Sequence, residues 1–245
     1  MKLCWLYLLV FMLTACGGES NPDKIKIEES VLQKTNIPRV INMNYKKLLQ
    51  GKPSESALEA MNRYEKLLQV LLATVEGFED SLSLYVIDYT KEDKLIVDKN
   101  IKSTEERFNI ILPESYKAFM IEKGAFSFGE DNLDNYLYTP YLSSLADEII
   151  NTEYYVDKEA IKKDYGENGL KRMEQLICFE KSDDYAFLCF DITSYDIKTK
   201  EMDIYFNDQD DWLGDRVNQP SFDKYIVTEV NEKIEQIIDD MELNN

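Results

Sequence analysis

The sequence predicts an α+β fold: a mixed or antiparallel sheet flanked by helices, preceded by a mostly helical N-terminal segment. Three observations carry this. Apolar residues recur at helical spacing over residues 56–77 and again over 221–241. Short apolar runs at 175–179, 185–192 and 202–206 have strand length and turn-forming flanks. Strands are grouped after helices instead of alternating regularly with them. The chain has 245 residues, 44% hydrophobic and 31% charged. That is enough material for a substantial core and an ordinary globular mixture.

The first sixteen residues read as an address. Lys2 is followed by an apolar run from Leu3 to Leu13, too short to span a bilayer as a helix. Leu13-Thr14-Ala15-Cys16 then matches a bacterial lipobox. Residues 1–15 are expected to be a lipoprotein signal peptide, with Cys16 carrying the acyl chains. Residues 16–24, rich in Gly, Ser and Asn, are expected to be a lipidated tether. Two or more acyl chains hold a protein stably on a membrane. The expected location is the bacterial cell envelope. This means the outer membrane in a Gram-negative host, and otherwise the outer face of the cell membrane.

Residues 25–98 are expected to form the helical extension. Ser56 and Glu59 have capping-box spacing. Leu58, Met61, Leu67, Leu68, Leu71, Leu72 and Val75 then form one apolar stripe, and Gly77 ends it. Residues 83–87 and 94–97 read as short strands around a turn at 90–93. Residues 101–108 read as a short helix that Leu112-Pro113 interrupts, and a second helix runs to Gly124. Tyr116, Phe119 and Met120 share its inner face. Residues 125–129 read as a strand and turn, 142–150 as helix, and 153–156 as strand. A closing helix turns Phe222, Tyr225, Ile226, Val230, Ile234, Ile237 and Ile238 inward.

Composition excludes several functions. There is no histidine, so Ser-His-Asp and Cys-His catalysis and His-ligated metals are ruled out. The charge is 28 Lys+Arg against 47 Asp+Glu, net −19. Such a chain repels phosphate backbones, so no nucleic-acid partner is expected. Spread evenly over the roughly 11,000 Å² a globule of this size exposes, net charges would lie about 24 Å apart. That exceeds a Debye length of about 8 Å, so only clustering gives a useful field. Residues 180–245 supply clustering, with 18 acidic and 6 basic residues.

Cys178 and Cys189 flank a plausible hairpin turn at Ser182-Asp183-Asp184-Tyr185. A two-residue turn at Asp183-Asp184 would place them opposite each other, where a cross-strand disulfide is possible. Two free, buried thiols are the alternative.

The segments from Ile101 onward share an ordered set of motifs. Ile101 and Glu105 precede Leu112-Pro113, Tyr116, Phe119 and Gly124. Phe126-Ser127-Phe128-Gly129, Leu188-Cys189-Phe190-Asp191, Ile204-Tyr205-Phe206-Asn207-Asp208 and Ser221-Phe222 follow in sequence. Together residues 99–245 resemble the SMI1/KNR4 family of the SUKH superfamily. Asn109 stands where the family usually carries Gly, at a helix end.

The resemblance implies a fold with this order of elements. For bacterial members it implies an immunity protein that binds and neutralises a cognate toxin, often a nuclease. The expected partner is therefore a toxin protein, and a basic nuclease suits the acidic surface. No catalytic residue, cofactor or metal is expected. The candidate contact residues are Asp208, Asp210, Asp211 and Asp215 around Trp212, with Tyr136 and Tyr138 from a Tyr-rich stretch. An envelope scaffold that binds another protein is a rival reading. A carboxylate-based envelope hydrolase is a second rival, and it requires two converging carboxyls in a cleft.

Overall fold

The structure, a computed structural model, describes residues 45–85, 87–90, 94–128, 135–137, 142–151, 155–182, 186–208, 212–213 and 217–243. The described chain opens with helices α1 (Tyr45–Gln50), α2 (Ala57–Thr74) and α3 (Phe78–Ser81) and strand β1 (Ile87–Thr90). Helices α4 (Lys94–Phe108) and α5 (Glu114–Glu122) and strands β2 (Ala125–Phe128), β3 (Asn135–Leu137) and β4 (Ser143–Ser144) follow. Then come α6 (Leu145–Asn151), α7 (Lys158–Glu174), β5 (Leu176–Ser182), β6 (Ala186–Asp191), β7 (Ile204–Asp208), β8 (Val217–Gln219) and α8 (Phe222–Leu243). The architecture is α+β. A six-stranded antiparallel sheet runs β3-β5-β6-β7-β8, with β4 also pairing β5, and β1 and β2 form a separate antiparallel pair.

All six residues of β6 are buried, because the sheet is covered on both faces. One face carries the larger core. Tyr116 and Phe119 from α5, Phe179 and Phe190 from the sheet, and Phe222 and Tyr225 from α8 meet there. Phe179 stacks on Phe190 at 4.2 Å between centroids, and Tyr116 meets both Phe190 and Phe222 edge-on at 5.2 Å. Edge-on and offset-stacked rings are the favoured aromatic geometries. The other face carries a smaller core of Leu145, Ile149, Ile161, Met173, Cys178, Phe187, Cys189 and Trp212 beneath α6 and α7.

The N-terminal helices belong to the larger core. The capping box forms as its spacing predicts. The Glu59 amide donates to Ser56 Oγ at 3.3 Å, and the Ser56 amide donates to the Glu59 carboxylate at 3.0 Å. Helix α2 buries Met61, Tyr64, Leu67 and Leu71 and lies along α8. Polar ties fix the pair along its length. The first α2 amide, at Ala57, donates to Asp223 Oδ1 at 2.7 Å. Arg63 Nη2 donates to Asn231 Oδ1 at 2.7 Å, and the Tyr85 hydroxyl donates to Asp240 Oδ2 at 2.6 Å. The two helices therefore run side by side in the same direction.

Arg63 is buried and fully engaged. It forks onto Glu55 through Nε and Nη2, both at 2.9 Å, and its Nη1 donates to the Leu48 carbonyl at 2.8 Å. A buried pair survives only with such complete bonding. Gly51 sits against it at φ +59, where a Cβ would fall 2.6 Å from Glu55 Oε2.

Several sequence expectations need correction. Residues 94–97 are the first turn of α4, not a strand, and the strand nearby is Ile87–Thr90. The 98/99 boundary thus falls inside a helix. Helix α7 was not anticipated. Its sequence carries few apolar residues, and Gly166, at φ 75 and ψ 175, breaks its helical geometry. Of the strand expected at 153–156, residues 155 and 156 are not strand, and 153 and 154 lie outside the described residues. Asn109 has φ 52, the left-handed conformation that its place at a helix end demands.

A β-bulge after Cys178 reshapes β5. Ile177 and Cys178 pair with Phe190 and Cys189, but Glu180 pairs with Leu188, one residue out of step. Without the bulge, alternation would put Glu180 on the same face as Cys178. With it, Glu180 joins Phe179 under α8. Glu180 is 7% exposed, and Tyr225 donates its hydroxyl to Glu180 Oε2 at 2.5 Å. Burial pushes the Glu180 carboxyl up to about 8, and burial likewise raises the neighbouring Glu229 to about 7.

The pH consequence follows from proton counting. Between its ordinary value and about 8, the folded chain retains a Glu180 proton that the unfolded chain has released. Stability therefore falls as pH rises through that window, by up to about 1.4 kcal/mol per pH unit. Glu180→Gln keeps an acceptor for Tyr225 and removes the titration. Thermal melts should show the variant more stable than the wild type at pH 8, with the difference shrinking towards pH 5.

Candidate partner-binding surface

Most of the family-like motif residues lie inside the fold, while Phe206 is exposed. Ile101, Leu112, Tyr116, Phe119, Phe126, Leu188, Cys189 and Phe190 are all buried core residues. Glu105 holds the corner between α4 and α5: its Oε1 accepts from the Leu112 amide at 2.9 Å and from Lys117 Nζ at 3.1 Å. Asp191 ends β6 and starts a short 3-10 turn. Its Oδ1 accepts from the Thr193 amide at 2.9 Å and pairs with Arg172 Nη1 at 2.8 Å. Burial alone would raise this carboxyl, but the Arg172 and Thr193 bonds outweigh it and hold Asp191 below its usual range. Arg172 also stacks over the Tyr205 ring, 4.9 Å from its centroid. These residues build the scaffold.

The backbone register places the predicted contact residues that it includes. Tyr136 of β3 stands opposite Lys181, Lys181 opposite Phe187, and Phe187 opposite Asn207. One step outward, Ala186 pairs with Asp208. Tyr136 and Asp208 therefore belong to the same end of the sheet, separated by three strand spacings. At about 4.8 Å per spacing that is about 14 Å, well within the footprint of a single protein partner. Ser182 and Ala186, which bracket the acidic pair Asp183 and Asp184 in sequence, close β5 and open β6 at this same end. Asp210, Asp211, Asp215, Tyr138 and Cys16 lie outside the described residues.

Trp212 needs correction. It was expected as an exposed anchor among the aspartates, yet it is 2% exposed and packs on Phe187 with ring centroids 6.0 Å apart. The smaller core explains this. Phe187 and the cysteines leave apolar sheet surface beside β7, and Trp212 with the half-buried Leu213 covers it. The buried indole offers no free face to a partner.

One charged cleft, of about 590 Å³, opens beside α1 and α2, and Glu55 and Glu59 both line it. Glu55 is forked onto Arg63. The Ser56 amide and the Lys52 charge hold the Glu59 carboxyl below its usual range. Among the described residues no group of three or more His, Cys, Asp or Glu side chains is placed to hold a metal ion. None of the described helices is long and apolar enough to cross a membrane.

The SMI1 / KNR4 family (SUKH-1) matches residues 96–228, from the first turn of α4 into α8. This covers just over half of the chain. The chain belongs to the SMI1/KNR4 (SUKH-1) family. No curated protein matches it significantly in sequence. The SMI1/KNR4 match starts after α1, α2, α3 and β1, although these elements share its core and β1 pairs with β2.

The assignment of Trp212 to the core is testable. Trp212→Ala should reduce stability by about 3–5 kcal/mol in denaturant unfolding. An exposed anchor would change stability by less than about 0.5 kcal/mol.

Proposed function

We propose that this SMI1/KNR4 protein is an immunity protein, held on the cell envelope by lipid at Cys16, that binds and neutralises a cognate toxin. The observation that carries the binding site is the register that brings Tyr136 and Asp208 to one end of the sheet. The acidic segments 183–184 and 208–215 join the strands at that end. Negative charge spaced within a Debye length steers a basic partner to its site and fixes its orientation. The family supports the immunity role, and the lipobox at Leu13-Thr14-Ala15-Cys16 supports the anchor. Neutralisation of this kind needs a complementary surface, with no catalytic group on the immunity protein.

Protection of a toxin-expressing strain, together with co-purification of the product of the neighbouring gene, tests the proposal. Loss of protection on deleting this protein supports it. A stable envelope complex that confers no protection would favour the scaffold reading.

The site itself makes a sharper prediction. The triple variant Asp210→Lys, Asp211→Lys, Asp215→Lys should weaken toxin binding at least about tenfold near physiological salt, and by less at high salt. The control triple Glu76→Lys, Glu79→Lys, Glu92→Lys makes the same change in net charge. It should leave binding within about threefold. Equal effects from the two triples, measured by titration calorimetry, would reduce the acidity to a solubility device.

A further inference from the structure

Cys178 and Cys189 lie in the two most central strands, β5 and β6, and both are fully buried in the smaller core. They are directly opposed in register as free thiols, with their sulfur atoms 2.8 Å apart. Three residues further along, Lys181 pairs with Phe187, a register that would set Cys178 against Phe190 if it continued. The bulge after Cys178 takes up the extra residue and restores the cysteine pair. The structure therefore forms this juxtaposition in spite of its hairpin turn. A sulfur–sulfur bond is about 2.05 Å long, so less than 1 Å of closure remains.

We infer that Cys178 and Cys189 form an intramolecular cross-strand disulfide when the chain folds in an oxidising compartment. The oxidant is a disulfide, either glutathione disulfide or an oxidoreductase of the thiol–disulfide class. The thiolate of one cysteine attacks the oxidant's disulfide and expels one of its thiolates, leaving a mixed disulfide. The thiolate of the second cysteine then attacks the chain's own sulfur in that mixed disulfide. The Cys178–Cys189 bond forms and the oxidant's second thiolate leaves. Two electrons and two protons pass from the cysteines to the oxidant, which ends as two thiols. The exchange takes place before α6 and α7 close over the sheet. In the finished fold the pair is sealed from solvent, and burial pushes the Cys178 thiol well above its usual range. The closed bond staples the hairpin that carries the proposed binding edge, and it is shielded from reductants. The inference does not depend on the proposed function.

The test uses the full chain in detergent, with Cys4→Ser and Cys16→Ser so that only this pair can react. The protein is unfolded, fully reduced, and refolded in a buffer of reduced glutathione and glutathione disulfide. It is then unfolded again without reductant, alkylated with iodoacetamide and weighed. The expected result is a mass 2 Da below the reduced chain, no alkylation, and a linked peptide pair containing Cys178 and Cys189. Melting should occur roughly 5–10 °C higher than for the reduced chain, and the further change Cys178→Ala should abolish that difference. Alkylation of both cysteines after refolding, or glutathione held as a mixed disulfide without linkage of the two, would overturn the inference.

Discussion

The parallel contact between α2 and α8 is the constraint on which the rest of the molecule depends. Asp223 in the first turn of α8 accepts from the first amide of α2, Arg63 reaches Asn231, and Tyr85 reaches Asp240. Between these ties run Met61, Tyr64, Leu67 and Leu71 on one helix and Ile226, Val230, Ile234 and Ile237 on the other. Helix α8 has apolar positions facing both α2 and the sheet. Its inner side receives Phe179 and Phe190, and through Phe222 it also meets Tyr116 of α5. Removing α2 would leave a long apolar stripe of α8 in water, at a cost of about 25 cal/mol for each Å² exposed. The segment ahead of the family region is therefore structural, and the sheet is fixed in place through it.

Much of the family signature is structural, although Asp208 belongs both to a family motif and to the proposed surface. Tyr116, Phe119, Phe190 and Asp191 determine how the helices and sheet lock together, and they have no exposed chemistry to offer. Variation in function must come from the ends of the sheet and the segments that join its strands. Residues 180–221, which include some of those segments, carry 11 acidic and 4 basic residues. Trp212 itself is buried in the smaller core against Phe187.

Much of this was legible in the sequence because the signals were local. The Ser56–Glu59 capping box, the inward face of α8 and the αL conformation at Asn109 each follow from a few residues and their spacing. Direct opposition of Cys178 and Cys189 was one of two readings of the sequence, and it required a two-residue turn; the longer register is rescued by the bulge. What escaped depended on tertiary context. Residues 94–97 carry Leu95, Ile96 and Val97, which favour a strand by propensity, yet they open a helix that buries Val97 and leaves Leu95 and Ile96 exposed. In α7 two glycines and many charges hide the period of Ile161, Leu170 and Met173. Glu180 was unreadable because its burial is created by a bulge. Trp212 looked like a surface residue because four aspartates surround it in sequence.

The central claim is that the N-terminal helices and the SMI1/KNR4 region form one folding unit. Thermal unfolding of the full chain beside a chain lacking residues 1–95 tests it most directly, followed by circular dichroism and by amide exchange at α8. The account predicts that the truncated chain loses its cooperative transition and its protection along Ile226, Val230 and Ile234. A truncated chain that melts as sharply as the full chain, at the same temperature and with α8 equally protected, would contradict it.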